Sequence, residues 1–400
     1  MISCAQIEEF KERGVLVIPQ VLQSHEVETA RSGLHAFLAQ KAGVHIDRLG
    51  DTAAGLTKFS STGGSGGVLD VFYEEWKLSL NEHPTVVQVI MELWEQTFAA
   101  PASNPLYQHP FGSFDPYRGL MYIDRICFRV PESISTTVYA SDSKSSSSGS
   151  GSGSGSGSTH INKKSSKPRT LQRSLTPHID CCPHKMFQAV GDKTYNKWRP
   201  IQAFVALTDT LDPQMGGFEA CPGFHKEFAE WADQRARGLV VGTSAAATAA
   251  TTATTAAATA ATAAIAATTP AIPVWSPSGV CTTRIEPPCV GQFTPIRPKE
   301  DHEVLQRFEH IPIRAGDLVL WDYRIPHANS YRNDSDHARE VVYIGLLPDV
   351  DVNRQYAVDQ LENFGEGIVP TDQWHEHKEK QPCAYKFSPL GRKLMGIDPW

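Results

Sequence analysis

The chain has 400 residues, 8 scattered cysteines and a formal net charge of −7, an acidic balance that argues against an extended nucleic-acid-binding face because non-specific phosphate affinity comes mainly from Lys and Arg. No CxxC pair is present, so neither a zinc ribbon nor a redox motif is expected. With no apolar leader and no apolar run near the roughly 18 residues of a membrane span, the chain reads as intracellular and cytoplasmic, without a membrane partner.

In chain order, residues 7–13 read as a short amphipathic helix stopped by Gly14, and Val15 to Ile18 as a buried strand closed by Pro19. Ser24 caps a helix with Val27, Ala30, Leu34 and Phe37 at helical spacing. A glycine-rich loop at 63–67 follows, then a strong helix over 81–98 with Val86, Val89, Ile90, Leu93 and Trp94 on one face. From Gly119 the period changes. Strands are expected at 121–130, 175–180, 200–209, 216–222, 308–313, 318–321 and 341–347, and helices at 228–235 and 354–364. Short strands after a helical lead imply a mainly β fold with flanking helices, its core an antiparallel jelly roll or cupin-like barrel.

Three parts are expected: a helical N-terminal region with an early strand (1–118), a catalytic core (119–350), and a C-terminal helix with a docking tail (351–400). Two low-complexity inserts, 141–170 and 243–272, interrupt the core; 145–158 is only Ser and Gly, and 245–269 almost wholly Ala and Thr. Neither can bury enough apolar side chain to offset its ordering entropy, so both are expected to be disordered.

The chemistry concentrates in two segments. In SLTPHID, His178 and Asp180 lie at i and i+2 of an expected strand and share a face. In GDLVLWDYRIPHANS, His327 follows a strand, and Arg339 opens the next apolar run. Two imidazoles and a carboxylate on one side of an ion make the facial triad of non-haem Fe(II) oxygenases, and an arginine behind them suits a carboxylate clamp. Each residue has a plainer reading. A lone HxD arises by chance in a chain with 15 histidines, and His45-Ile46-Asp47 is such a decoy. His327 could be a core histidine, Arg339 a surface partner of Asp334 or Asp336, and Arg332 a rival clamp from mid-loop. His225 reads as a loop histidine near the mouth, and His375-Glu376-His377 as solvated surface.

With these residues in place, the chain resembles the phytanoyl-CoA dioxygenase family of Fe(II)- and 2-oxoglutarate-dependent oxygenases. EEFKERGVLVIPQVLQSHEVETARSGLHAFL is similar to that family's opening, TPHID to its first metal motif, IQAFVALTD to the following strand, GGFEACPGFH to its PGSH turn, and GDLVLWDYRIPHANS to its distal histidine motif. The resemblance implies a double-stranded β-helix with His178, Asp180 and His327 on Fe(II). It implies Arg339 on the distal carboxylate of 2-oxoglutarate, Phe204 and Asn329 lining that pocket, dioxygen as oxidant and ascorbate as an accessory reductant. The expected reaction is hydroxylation or another oxidation of a small organic or acyl substrate, with release of succinate and carbon dioxide.

Rivals remain at this level. A metal-dependent cupin-like isomerase or hydrolase would use the barrel without Arg339. An iron oxygenase could take a different cosubstrate, and a sensor or scaffold would bind no iron. Halogenation is disfavoured because Asp180 fills the place a halide would need. Tyr122, Arg125, Arg129, Lys185, Trp198 and Trp321 are candidate mouth residues, but they do not name a substrate.

Overall fold

The computed structural model describes residues 2–99, 104–109, 111–136, 170–181, 197–236, 272–275, 281–284, 293–370 and 380–400. The inserts at 141–170 and 243–272 fall outside the described residues, apart from Thr170 and Ile272.

Capping fixes the first helix, α1 (Cys4–Arg13). The Ser3 hydroxyl accepts from the Gln6 N–H at 3.2 Å, the Gln6 side chain accepts from the Ser3 N–H at 2.9 Å, and Gly14 ends the helix at φ 68°. Helix α2 (Ser24–Phe37) buries Val27, Ala30, Leu34 and Phe37, the stripe its sequence spacing selects. The helix expected over 81–98 is present as α4 (Pro84–Gln96) but begins three residues later, and Asn81 instead ends a separate helix, α3 (Glu75–Asn81). Pro84 is the reason. It lacks an N–H and drives the preceding residue out of the helical region, so it starts a helix and does not sit inside one.

Two antiparallel sheets carry the site. The larger has strand order β1-β11-β5-β13-β3-β2, formed by β1 (Val15–Ile18), β2 (Val68–Leu69), β3 (Gly119–Arg129), β5 (Ile201–Ala206), β11 (Leu318–Asp322) and β13 (Arg339–Pro348). The smaller has order β10-β6-β12-β4-β9, formed by β4 (His178–Ile179), β6 (Phe218–Ala220), β9 (Thr294–Pro295), β10 (Glu309–His310) and β12 (His327–Asn329). A separate hairpin pairs β7 (Ile272–Trp275) with β8 (Cys281–Arg284).

Aromatic side chains fill the space between the sheets. Phe204 of β5 lies 5.5 Å from Phe218 of β6, and Trp321 of β11 lies 5.0 Å from Phe218 and 5.1 Å from His327 of β12, between ring centroids. On the far side of the larger sheet, Glu340 binds Arg31 at 3.1 Å and His35 at 2.8 Å, both from α2. Residue 340 therefore faces the helices, and its neighbour Arg339 faces the space between the sheets.

The molecule is thus a mixed helix and antiparallel-sheet protein, with more helix than a mainly β reading allowed. The smaller sheet's strands are shorter than expected: only His178–Ile179 pairs within 175–180. The pairing of His327–Asn329, directly after Pro326, was not anticipated, because three residues carry no periodic signal. Helix α5 (Asp351–Glu366) follows β13, and the tail returns to the body, where the Trp400 indole donates to the Gly119 carbonyl at 3.1 Å. Among the described residues, no helix is long and apolar enough to cross a membrane.

Candidate metal centre

His178 opens β4, His327 opens β12, and the two are register partners across one antiparallel pair. Directly opposed residues project to the same face, and the imidazole centroids lie 4.4 Å apart. Asp180 turns back onto the same point, its carboxylate 3.2 Å from His178 Nε2 and 3.6 Å from His327 Nε2. One donor atom from each of the three lies within 4.8 Å of the others.

The backbone sets the tautomers. His178 Nδ1 donates to the Thr176 carbonyl at 2.8 Å, and His327 Nδ1 to the Ile325 carbonyl at 3.0 Å. With Nδ1–H committed, each ring presents its Nε2 lone pair toward Asp180, the form a metal requires. Three electron-pair donors facing one point repel unless a cation or added protons lie between them. Two imidazoles and one carboxylate are a donor set for a first-row divalent ion such as Fe(II). Burial works to raise the Asp180 carboxyl, yet the two imidazoles, where they carry the added protons, hold it well below the ordinary carboxylate range. Burial, with His178 nearby, pushes the His327 imidazole down.

Around Asp180, Gln202 Nε2 donates to Oδ2 at 3.2 Å, and Arg199 Nη2 stands 4.0 Å from the same oxygen. The Arg199 guanidinium pairs with Asp124 at 2.9 Å and lies 4.5 Å over the Tyr122 ring. Burial opposes its charge, but Tyr122, Asp124 and Asp180 outweigh that and raise its pKa.

Deeper between the sheets, Arg339 is 1% exposed. Its Nη1 donates to Cys127 Sγ at 3.3 Å, and its guanidinium lies 5.4 Å over the Phe204 ring. Its Nε and Nη2 have no hydrogen-bond partner among the described residues. Asp334 and Asp336, the surface partners that sequence offered it, are engaged by Arg332 at 3.1 Å and His337 at 2.9 Å. Arg332 itself is exposed. Asn329 Nδ2 donates to the Gly66 carbonyl at 3.2 Å, and the Cys127 thiol donates to that same oxygen at 3.1 Å. Gly66 and Gly67 run at φ 66° and 69°, so the glycine loop closes onto Asn329 and Cys127 in a conformation side chains disfavour.

The structure thus brings His178, Asp180 and His327 together and sets Arg339, Phe204 and Asn329 in the adjoining interior. Trp321 also lies there. Arg129 does not line a mouth: it is buried, and its guanidinium donates to the Ser330 and Tyr331 carbonyls. Arg125 pairs with Asp70 at 2.6 Å, and Trp198 stacks on Phe111 at 4.8 Å. His45 precedes a 3-10 turn, and buried His225 bonds the Lys11 carbonyl at 3.1 Å, so neither joins the cluster. Lys185 and residues 375–377 lie outside the described residues. Sequence reasoning missed Gln202, Arg199, Cys127 and the approach of the glycine loop. Gln202 had one visible signal, a polar residue inside the apolar run IQAFVA.

Residues 194–386 match the model of the Gig2-like family. This Gig2-like match spans just under half of the chain and takes in His327 and Arg339 but not His178 or Asp180. In fold, the chain is similar to the GlcNAc Inducible Gene 2 protein of Candida albicans, at 16% identity and TM-score 0.62, covering 100% of this chain and 77% of that one. It is also similar to the hypothetical protein JW0805 of Escherichia coli, at 13% identity and TM-score 0.59, covering 99% and 82% of the two chains. The likeness to the alpha ketoglutarate dependent carbocyclase SnoK from nogalamycin biosynthesis is looser, at 14% identity and TM-score 0.42 over 86% and 84% of the chains, too slight to carry a chemical inference. No curated protein is significantly similar to this chain in sequence.

These findings correct the expected family. The matching family model is Gig2-like, and the similar structures are Gig2 and JW0805, not phytanoyl-CoA dioxygenases. The error has a physical source. HxD and a distal histidine before an arginine are what a site with this donor set between two sheets calls for, so they report chemistry and not lineage.

Proposed function

We propose that the chain is an Fe(II)- and 2-oxoglutarate-dependent oxygenase, that its two facing sheets form a double-stranded β-helix, and that residues 119–350 carry the catalysis. Arg339 is the observation that supports this reading over its rivals. A buried guanidinium without an anion costs several kcal/mol, and two of its nitrogens are unpartnered among the described residues. It connects to the triad through an aromatic path, from Phe204 to Trp321 at 5.9 Å and from Trp321 to His327 at 5.1 Å. A small dicarboxylate bound between them would place one end at the triad and the other on the guanidinium. An iron oxygenase with an uncharged cosubstrate would leave that cation without an anion.

His178, Asp180 and His327 would hold the ion. Bound Fe(II) supplies dioxygen activation coupled to decarboxylation of 2-oxoglutarate to succinate and carbon dioxide. The chain's own residues bind and orient. Arg339 takes the distal carboxylate through paired charge-assisted hydrogen bonds, Cys127 and Phe204 keep its guanidinium from turning away, and Asn329 closes the pocket against Gly66. Phe204, Phe218 and Trp321 exclude water, which strengthens each polar contact inside. Ascorbate would act only as an accessory reductant. The substrate is a small organic molecule, and hydroxylation is the simplest outcome.

The test is succinate formation by the purified protein with Fe(II), 2-oxoglutarate and dioxygen, with and without a metabolite panel, alongside His178→Ala and Arg339→Ala. The proposal expects turnover that both substitutions suppress. Absence of succinate, together with no calorimetric binding of 2-oxoglutarate to the metal-loaded protein, would overturn it.

A further inference from the structure

Gln202 is 1% exposed on a strand whose other members, Ile201 and Ala203 to Ala206, are apolar. Its Nε2 donates to Asp180 Oδ2 at 3.2 Å, while its Oε1 has no partner among the described residues. The amide cannot be reversed, because that would set Oε1 against the carboxylate. A buried acceptor without a hydrogen destabilises the fold. An apolar side chain here would avoid that cost and match the rest of the strand. The amide is therefore explained by what its N–H does and not by stability.

That N–H meets one particular oxygen. Asp180 Oδ1 stands 3.2 Å from His178 Nε2, and Oδ2, the oxygen that Gln202 holds, stands 3.6 Å from His327 Nε2. Arg199, 4.0 Å from Oδ2, is already engaged by Asp124 at 2.9 Å and contributes charge more than direction. Asp180 lies just beyond the two-residue strand β4, and its carboxylate is partly exposed, at 31% of the side chain. Backbone pairing of β4 does not set the turn of that carboxylate; a side chain must.

We infer that Gln202 is the positioning residue of the triad: by holding Asp180 Oδ2 it fixes the turn of the carboxylate, so that Oδ1 meets His178 and Oδ2 faces His327. This rests on the triad being a metal site. It goes further in placing the control of Asp180 on a neutral amide of the opposite sheet, so that the larger sheet, which carries no triad residue, sets the ligand geometry. Gln202→Leu should weaken metal binding about 10–100-fold, the usual effect of losing a hydrogen bond to a metal ligand. The same substitution should not lower the thermal stability of the metal-free protein, since it removes an unmet acceptor.

The experiment titrates the full metal-free chain with Co(II), reading visible absorption, for wild type, Gln202→Leu, Gln202→Asn and His178→Ala. Asparagine keeps the amide but is one methylene short of Asp180, so it should bind Co(II) as poorly as the leucine variant and decides the matter if that variant fails to fold. An altered Co(II) band shape in the variants would further support control of the carboxylate. If both Gln202 variants bind Co(II) within about twofold of wild type with the same spectrum, while His178→Ala does not bind, the inference fails and the triad reading stands. If wild type binds no Co(II), both fail.

Discussion

Replacing Lys77 by methionine should stabilise the protein at pH 7 and do little at pH 10. Lys77 lies on α3, is 0% exposed, and donates to Asn81 Oδ1 at 3.4 Å. Burial pushes its ammonium down from 10.5 to about 7, with Asp124 opposing. At about 1.4 kcal/mol per tenfold change, that lowering is worth roughly 5 kcal/mol between the charged and neutral forms. The sign follows from proton counting. Below about pH 7 the amine is charged in both the folded and unfolded chains, so the full cost of burying it is present. Between there and 10.5 the folded chain keeps it neutral while the unfolded chain still binds the proton, so stability rises with pH. Roughly 3 kcal/mol of the cost should be relieved between pH 7 and pH 10. Urea unfolding of the metal-free wild type and Lys77→Met at pH 7, 8.5 and 10 reads this as the gap between the two proteins, in which other titrating groups cancel. A gap that stays constant across that range would refute the argument.

Three further expectations follow from the site and its surroundings. Arg339→Met should lose 2-oxoglutarate binding by about 100-fold or more, as the loss of two charge-assisted hydrogen bonds implies, while the ligand-free protein melts no lower, because an unpartnered buried charge has gone; calorimetry and thermal melts read the two halves separately. Adding Co(II) should raise the melting temperature of wild type but not of His327→Ala, since an ion that binds only the folded chain stabilises it by mass action. Gly67→Ala should cost about 1–3 kcal/mol in chemical unfolding, because its φ is 69° and a Cβ there would stand 2.7 Å from the Arg129 Cα, which cannot move aside.

The parts of this molecule legible in sequence are those with a long or chemical signal. The stripe Val27, Ala30, Leu34 and Phe37 announces a helix because one face must meet the core, and His178, Asp180 and His327 stand out because few roles call for those side chains together. Arg339 was separable from Arg332 because only the former begins a strand and points between the sheets. The start at Pro84 was available and overlooked, apolar periodicity having outweighed a proline. Other features had no local signal. Gln202, Cys127 and Gly66 reach the site only through pairings between distant segments, and β12 and β4 are too short to show alternation. The family was misjudged for the complementary reason, that short motifs around a metal are shared wherever the same chemistry is built.

The pairing of β4 with β12 rests on a single rung, and that rung is His178 opposite His327. The residues that would grip the ion are therefore also the seam they grip across, with no longer run of backbone ladder on that side to hold them in its stead. A cation seated there would fasten the seam as a rivet does. Its removal by a chelator would loosen shape and chemistry together, and would do so first along the β4–β12 seam, where amide exchange with solvent should quicken well before the larger sheet yields.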